Sequence, residues 1–260
     1  MIKHGPLAPN SGGTRQSPTS VPAPPELGAG GASSGPSVGA ALGKVALLLL
    51  LCATTVGGFL GLPPAVGFPD PALARIVVFH VPCSIAAYLA SGVATWYAVR
   101  YLRRRDPADD IKSRASFGLA LMFWVLTTLT GAIFAKAQWG AYWNWDIKQG
   151  AILMLTLIYT AYFALRAAVA EPRKQATLAA AYSVFAVLSA PYLTYVLPNS
   201  TPDTLHPKGV LQNGLSPEYS LVLWGGTLGL CLVYVWAFRV QVALETLQLR
   251  LHKRARRLRA

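Results

Sequence analysis

Two histidines, three tryptophans and an aspartate carry most of the chemistry that this sequence offers. His80 lies in "RIVVFHVPCS" and His206 in "DTLHPKG", while His4 and His252 sit in polar terminal segments as ordinary solvated residues. The stretch "QWGAYWNWDIKQG" (138–150) holds Trp139, Trp143 and Trp145, three of the seven tryptophans, and closes on Asp146. Neutral imidazole is a common iron ligand, and two histidines can hold a haem iron from opposite faces. Indole rings offer broad apolar planes to a flat macrocycle. The propionates of a haem need cations, and Arg75 stands five residues before His80 while Lys148 follows Asp146 by two.

Each residue also has a plainer reading. The tryptophans suit an aromatic belt at a membrane interface, and Trp139 and Trp143, spaced i to i+4, suit a packing face on a helix. Asp146 is placed to cap a following helix. His80 inside a helix suits hydrogen-bonded packing, and His206 an ordinary loop. Only their convergence on one face favours a ligand site, so the elements that position them decide the matter.

The chain has 260 residues, 53% hydrophobic and 13% charged, with a mean hydropathy of +0.42. Soluble domains carry about 25% charged residues, roughly twice this share. A membrane-crossing helix needs about 20 mostly apolar residues, and six stretches qualify: 43–62, 73–101, 115–135, 150–170, 176–197 and 221–238. The expected fold is an all-α integral membrane protein with six transmembrane helices and no soluble catalytic domain. It divides into a disordered Pro/Gly/Ser-rich tail (1–42), a six-helix membrane domain (43–240) and a basic tail (241–260).

The net charge of +13 is unevenly placed. On alternate sides of the six spans, 19 of the 23 Lys and Arg fall on one side, and only Arg75, Lys136, Lys148 and Lys208 on the other. Cytoplasmic loops hold the excess of Lys and Arg, so both termini are expected in the cytoplasm and loops 61–72, 136–149 and 198–220 outside it. The basic C-terminus then faces anionic lipid or a cytoplasmic partner, and nucleic-acid binding is not supported. Cys52, Cys83 and Cys231 lie far apart in apolar segments, with neither a disulfide framework nor a CxxC pair. The tripeptide Asn199-Ser200-Thr201 is a formal glycosylation acceptor of a kind common by chance. This topology brings His80, His206 and the extracytoplasmic Trp-rich segment to one membrane face.

With those residues in place, "WGAYWNWD" fits a WGxxWxWD signature. The chain resembles the WWD-domain haem-handling family of cytochrome c maturation, and most of all its six-helix CcmC type (haem exporter protein C). "TGAIFAKAQWGAYWNWD" is similar to that family's run into the signature, "RIVVFHVP" to the segment of its first haem-ligand histidine, and "TLHP" to that of its second. The likeness covers about residues 43–240.

The resemblance implies non-covalently bound haem b, transferred onward, with His80 and His206 as axial ligands. The shelf would be built from Trp139, Gly140, Trp143, Trp145 and Asp146; the sparse cations Arg75, Lys136 and Lys148, read from the residues themselves, are the candidate partners beside it. It implies a protein that makes no bonds itself but presents haem to a membrane-tethered haem chaperone. Other cytochrome c maturation membrane subunits, an ABC-transporter-like complex among them, would be further partners in a bacterial inner membrane. Ile147 and Lys148 stand where Pro and Arg are usual, and "PNSTPDTLHP" lacks a Trp pair common in relatives. The alternatives are a CcsA-like component of the other maturation route, which is larger and has more ligand histidines; a haem-b electron-transfer protein, with histidines on neighbouring helices; and a plain permease with an aromatic belt.

Overall fold

The computed structural model describes Met1 and residues 38–202, 204–206 and 215–259. Contacts divide the chain into Met1–Val38 and Gly39–Ala260, and only the second unit concerns us; the tail expected over 1–42 falls almost wholly outside the described residues. Among the described residues every element is helical: α1 (Val38–Val56), α2 (Val77–Arg104), α3 (Pro107–Trp139), α4 (Ile147–Ala168), α5 (Pro172–Pro191), the short α6 (Leu197–Ser200) and α7 (Pro217–Arg259). A π-helical turn (Tyr192–Val196) joins α5 to α6, and a 3-10 turn (Leu73–Ile76) leads into α2. Among the described residues, six helical spans are long and apolar enough to cross a membrane. They are the six that the apolar runs predict.

The boundaries differ from the apolar runs because polar first and last turns find partners in neighbouring helices. Asp106 accepts the Ala108 N–H at 2.9 Å and caps α3, whose first turn holds Asp109 and Asp110. Arg166, 7% exposed near the end of α4, grips Asp110 through two bonds of 2.8 and 2.9 Å. Arg100 of α2 lies 3.3 Å from Asp109, and Arg114 of α3 lies 2.7 Å from Glu245 of α7. Hence α3 begins at Pro107 rather than at 115, and its turns 107–114 are welded to α2, α4 and α7. At the other end α3 runs on through Trp139, so Trp139 is a helical residue and only 140–146 lie between α3 and α4. α7 continues unbroken through position 240, where composition alone marks a boundary.

Between these ends the helices meet on small residues. Ala86, Ala87, Ala90 and Ala94 of α2 are fully buried against Phe117, Ala120 and Trp124 of α3, Tyr159 of α4, Ala186 of α5 and Tyr234 of α7. Lipid gives apolar helices no hydrophobic reason to associate, so close backbone approach and interhelical hydrogen bonds do the work. Ser116 Oγ donates to the Ala90 carbonyl at 2.8 Å and lies 2.7 Å from Tyr234 Oη. Tyr159 Oη donates to Ser91 Oγ at 2.7 Å. These bonds lock α2, α3, α4 and α7 in one register and so fix where the ends of α2, α3 and α4 emerge.

Candidate functional site

The site is built at the end of the bundle where α3 stops and α4 starts. Gly140 ends α3 in the left-handed region (φ 81°), its N–H returning to the Lys136 carbonyl at 3.2 Å. That conformation is what glycine supplies at a helix C-terminus. The chain then turns back on itself. Asn144 donates its backbone N–H to Gln149 Oε1 at 2.6 Å, and Gln149 Nε2 donates to the Tyr142 carbonyl at 3.2 Å. Trp145 is 78% exposed and left-handed (φ 55°), a state that costs a residue with a Cβ about 1–2 kcal/mol. Its ring stands edge-on to Trp143, centroids 5.9 Å apart.

This strained turn delivers Asp146. The carboxylate caps α4 by accepting the Lys148 N–H at 3.0 Å, as its position predicts. It also reaches across the bundle end. It accepts the Leu205 N–H at 2.7 Å, the Thr204 hydroxyl at 3.0 Å and the Nδ1–H of His206 at 2.8 Å. One buried carboxylate therefore ties residues 204–206 to the tryptophan loop. Burial alone pushes its carboxyl up, but the Leu205 and Lys148 N–H groups, with His206 and Thr204, hold it below the ordinary carboxylate range. His206 moves the other way. Burial, helped by the Lys148 charge, lowers its imidazole below the usual value against the pull of Asp146. The neutral ring, the form that ligates metals, is favoured. Trp139 meets that ring edge-on at 4.9 Å.

His80 sits in the first turn of α2, preceded by the 3-10 turn. Its Nδ1 lies 3.1 Å from Thr130 Oγ1 of α3. The ring rests on Gly131, where an added Cβ would come within 2.9 Å of His80 Cε1; here glycine permits a close approach. His80 and His206 line the same cavity, of about 310 Å³, together with Trp143, Lys148, Gln149 and, deeper, Trp124.

The expected site residues therefore separate into groups. His80, His206, Trp143 and Lys148 face one space, and Trp139 and Asp146 hold His206 in it. Gly140 and Trp145 shape the loop. Arg75 is engaged elsewhere, donating to the Phe59 carbonyl at 3.0 Å, and is not among the residues lining the cavity. Lys136 donates to the Gly140 carbonyl at 2.7 Å and lies over the Tyr142 ring. Lys208 falls outside the described residues. Gln149, Thr130 and Thr204 take structural parts that no local pattern announces; Thr204 alone offers a cue, a hydroxyl two residues before a histidine.

Among the described residues no three His, Cys, Asp or Glu side chains gather around a point. Two imidazoles alone would leave a bare metal ion short of ligands, whereas a metal that brings its own planar ring of nitrogens needs only two. The donor set fits haem on that ground.

Fold and cavity together define a polytopic helical membrane protein in which two histidines share a cavity at one bundle end. The chain matches the family "CcmC: Heme exporter protein C" over residues 36–260. It is 29% identical over 170 residues to "Heme exporter protein C" of Bradyrhizobium diazoefficiens, covering 64% of each chain. It is 30% identical over 148 residues to the protein of that name in Rhodobacter capsulatus, covering 55% of this chain and 60% of the relative. A "Cytochrome c biogenesis protein CcsA" of Synechocystis is 31% identical over 129 residues, 49% of this chain and 38% of the relative. The chain thus spans less than two thirds of the length of these relatives. It belongs to the CcmC haem exporter protein C family, a family of multi-helix membrane proteins of cytochrome c biogenesis.

Proposed function

We propose that the protein binds haem b at the extracytoplasmic membrane face, between His80 and His206, and presents it to a membrane-tethered haem chaperone for cytochrome c maturation. The observation that carries this reading is the shared cavity: a helix histidine and a loop histidine, each with Nδ1 hydrogen-bonded, open onto one space with Trp143 and Lys148. When bound, haem would supply an iron able to accept imidazole nitrogens, which His80 and His206 would provide. The chain's own residues orient the imidazoles through Thr130 and Asp146, and offer an indole face at Trp143 and an ammonium group at Lys148. The uneven placement of Lys and Arg supports an orientation with the site outside and both termini in the cytoplasm. Other cytochrome c maturation subunits, an ABC-transporter-like complex included, and a bacterial inner-membrane location belong to the same reading.

The test is the absorption spectrum of the purified protein. A Soret band is expected in the unsubstituted chain and weakened in His80→Ala and His206→Ala. An identical band in both variants would refute the ligand assignment. Lys148 lines the cavity and Arg75 is committed to Phe59, so Lys148→Ala is expected to weaken haem retention more than Arg75→Ala. The opposite order, read as haem loss to apomyoglobin, would place the propionates beside α2 instead.

A further inference from the structure

We infer that the two imidazoles are unequal iron ligands, His206 the firm one and His80 the one that yields, because a carboxylate holds one Nδ1 proton and a hydroxyl the other. The inference rests on the haem reading above. Thr130 Oγ1 has a single proton and lies 2.8 Å from the Leu126 carbonyl and 3.2 Å from the Thr127 carbonyl, both acceptors only. That proton is committed to the helix backbone, so toward His80 Nδ1 at 3.1 Å the hydroxyl oxygen accepts. Nδ1 then carries the hydrogen, and Nε2 is left with a free lone pair. Asp146 imposes the same tautomer on His206 by accepting its Nδ1–H at 2.8 Å. Both rings are thus prepared as ligands, but not equally.

A hydrogen bond to an ionised acceptor is roughly twice as strong as one between neutral groups. A carboxylate on the far nitrogen also raises the basicity of the ligating one. A neutral hydroxyl whose own proton is spent elsewhere, with the uncharged Thr127 carbonyl as a further partner of the ring, gives His80 much less of either. Position in the chain alone argues the reverse, since His80 stands on a rigid helix and His206 on an irregular segment. The bonds from Leu205 and Thr204 to Asp146 remove that freedom and clamp the His206 backbone to the tryptophan loop. Release of haem then begins with loss of the His80 contact, while His206 and Trp143 still hold the macrocycle at the outer rim for the acceptor.

The experiment uses the full chain in detergent loaded with ferric haem, with transfer to excess apomyoglobin followed at the Soret band. His80→Ala leaves His206 as the one axial imidazole, and His206→Ala leaves His80. Loss from His206→Ala is expected to be faster by about 10-fold, the lower end of the effect of outer-shell partners on metal affinity. Equal rates, or faster loss from His80→Ala, overturn the inference. In the His206→Ala background, Thr130→Asp gives His80 a carboxylate and is expected to slow loss several-fold and lower the reduction potential, whereas Thr130→Ser leaves both unchanged. If Thr130→Asp moves neither quantity, the acceptor is not the cause and the inference fails. Absence of a Soret band from the unsubstituted protein would instead remove the haem reading itself.

Discussion

Asp146→Ala is expected to release residues 204–206 from the tryptophan loop and to weaken haem binding by about 10- to 100-fold, the range seen when a metal ligand loses its orienting partner. The substitution deletes one carboxylate but breaks four bonds, to the Lys148 and Leu205 N–H groups, the Thr204 hydroxyl and His206 Nδ1. Loss of the helix cap alone costs about 1 kcal/mol, and each buried donor left without an acceptor costs about 1–3 kcal/mol more. The measurable consequences are separable. Limited proteolysis should show faster cleavage near 204–206, and haem titration should show the weaker affinity. Asp146→Asn retains an acceptor oxygen and should fall between the two proteins in both assays. Wild-type proteolysis and wild-type affinity in Asp146→Ala would show that the carboxylate is only a cap.

Asp110→Ala is expected to destabilise the bundle by about 3–5 kcal/mol, because removing one partner of a buried ion pair strands the other charge. Arg166 is 7% exposed and makes both of its short carboxylate bonds to Asp110, with Tyr162 and Gln175 as weaker company at 3.2 and 3.5 Å. The double change Asp110→Leu/Arg166→Met removes both charges and should restore much of the loss, since apolar replacement of such pairs is often neutral. Thermal unfolding in detergent reads this directly. The haem spectrum of folded Asp110→Ala should be unaltered, since Arg166 lies 18 positions beyond Lys148 on α4, about 27 Å at 1.5 Å per residue. A single variant as stable as the unsubstituted chain would show that Arg166 reaches water or lipid headgroups instead.

Both predictions fall on residues whose partners lie far away in the chain. Asp110 is legible in the sequence as an acid in a basic loop, but Arg166 is 56 positions later, and nothing local joins them. Asp146 is legible as a helix cap, which it is. Its second role, on a segment 58 to 60 positions further on, depends on where α5 and α6 deliver Thr204. Arg75 shows the reverse case. As a sparse cation five residues before a candidate ligand it reads as a propionate partner; in the structure it donates to the Phe59 carbonyl, in the π-helical turn Gly57–Gly61 after α1, and does not line the cavity. Trp139, Trp143 and Trp145 read as one cluster, and the structure gives them three tasks: one against His206, one in the cavity, one exposed on a left-handed turn.

By itself the sequence determined that six stretches are long and apolar enough to cross a membrane as helices, because apolar content over about 20 residues is a local quantity that lipid reads without reference to the rest of the chain. It also singled out the candidate residues for a site, since histidine, tryptophan and a capping aspartate are scarce residue types with few chemical uses. Which side chain meets each imidazole, which lysine faces the cavity and which arginine does not were decided only by the tertiary structure. Those outcomes depend on single hydrogen bonds of about 3 Å between residues tens of positions apart, set by the register in which alanine-lined helices pack.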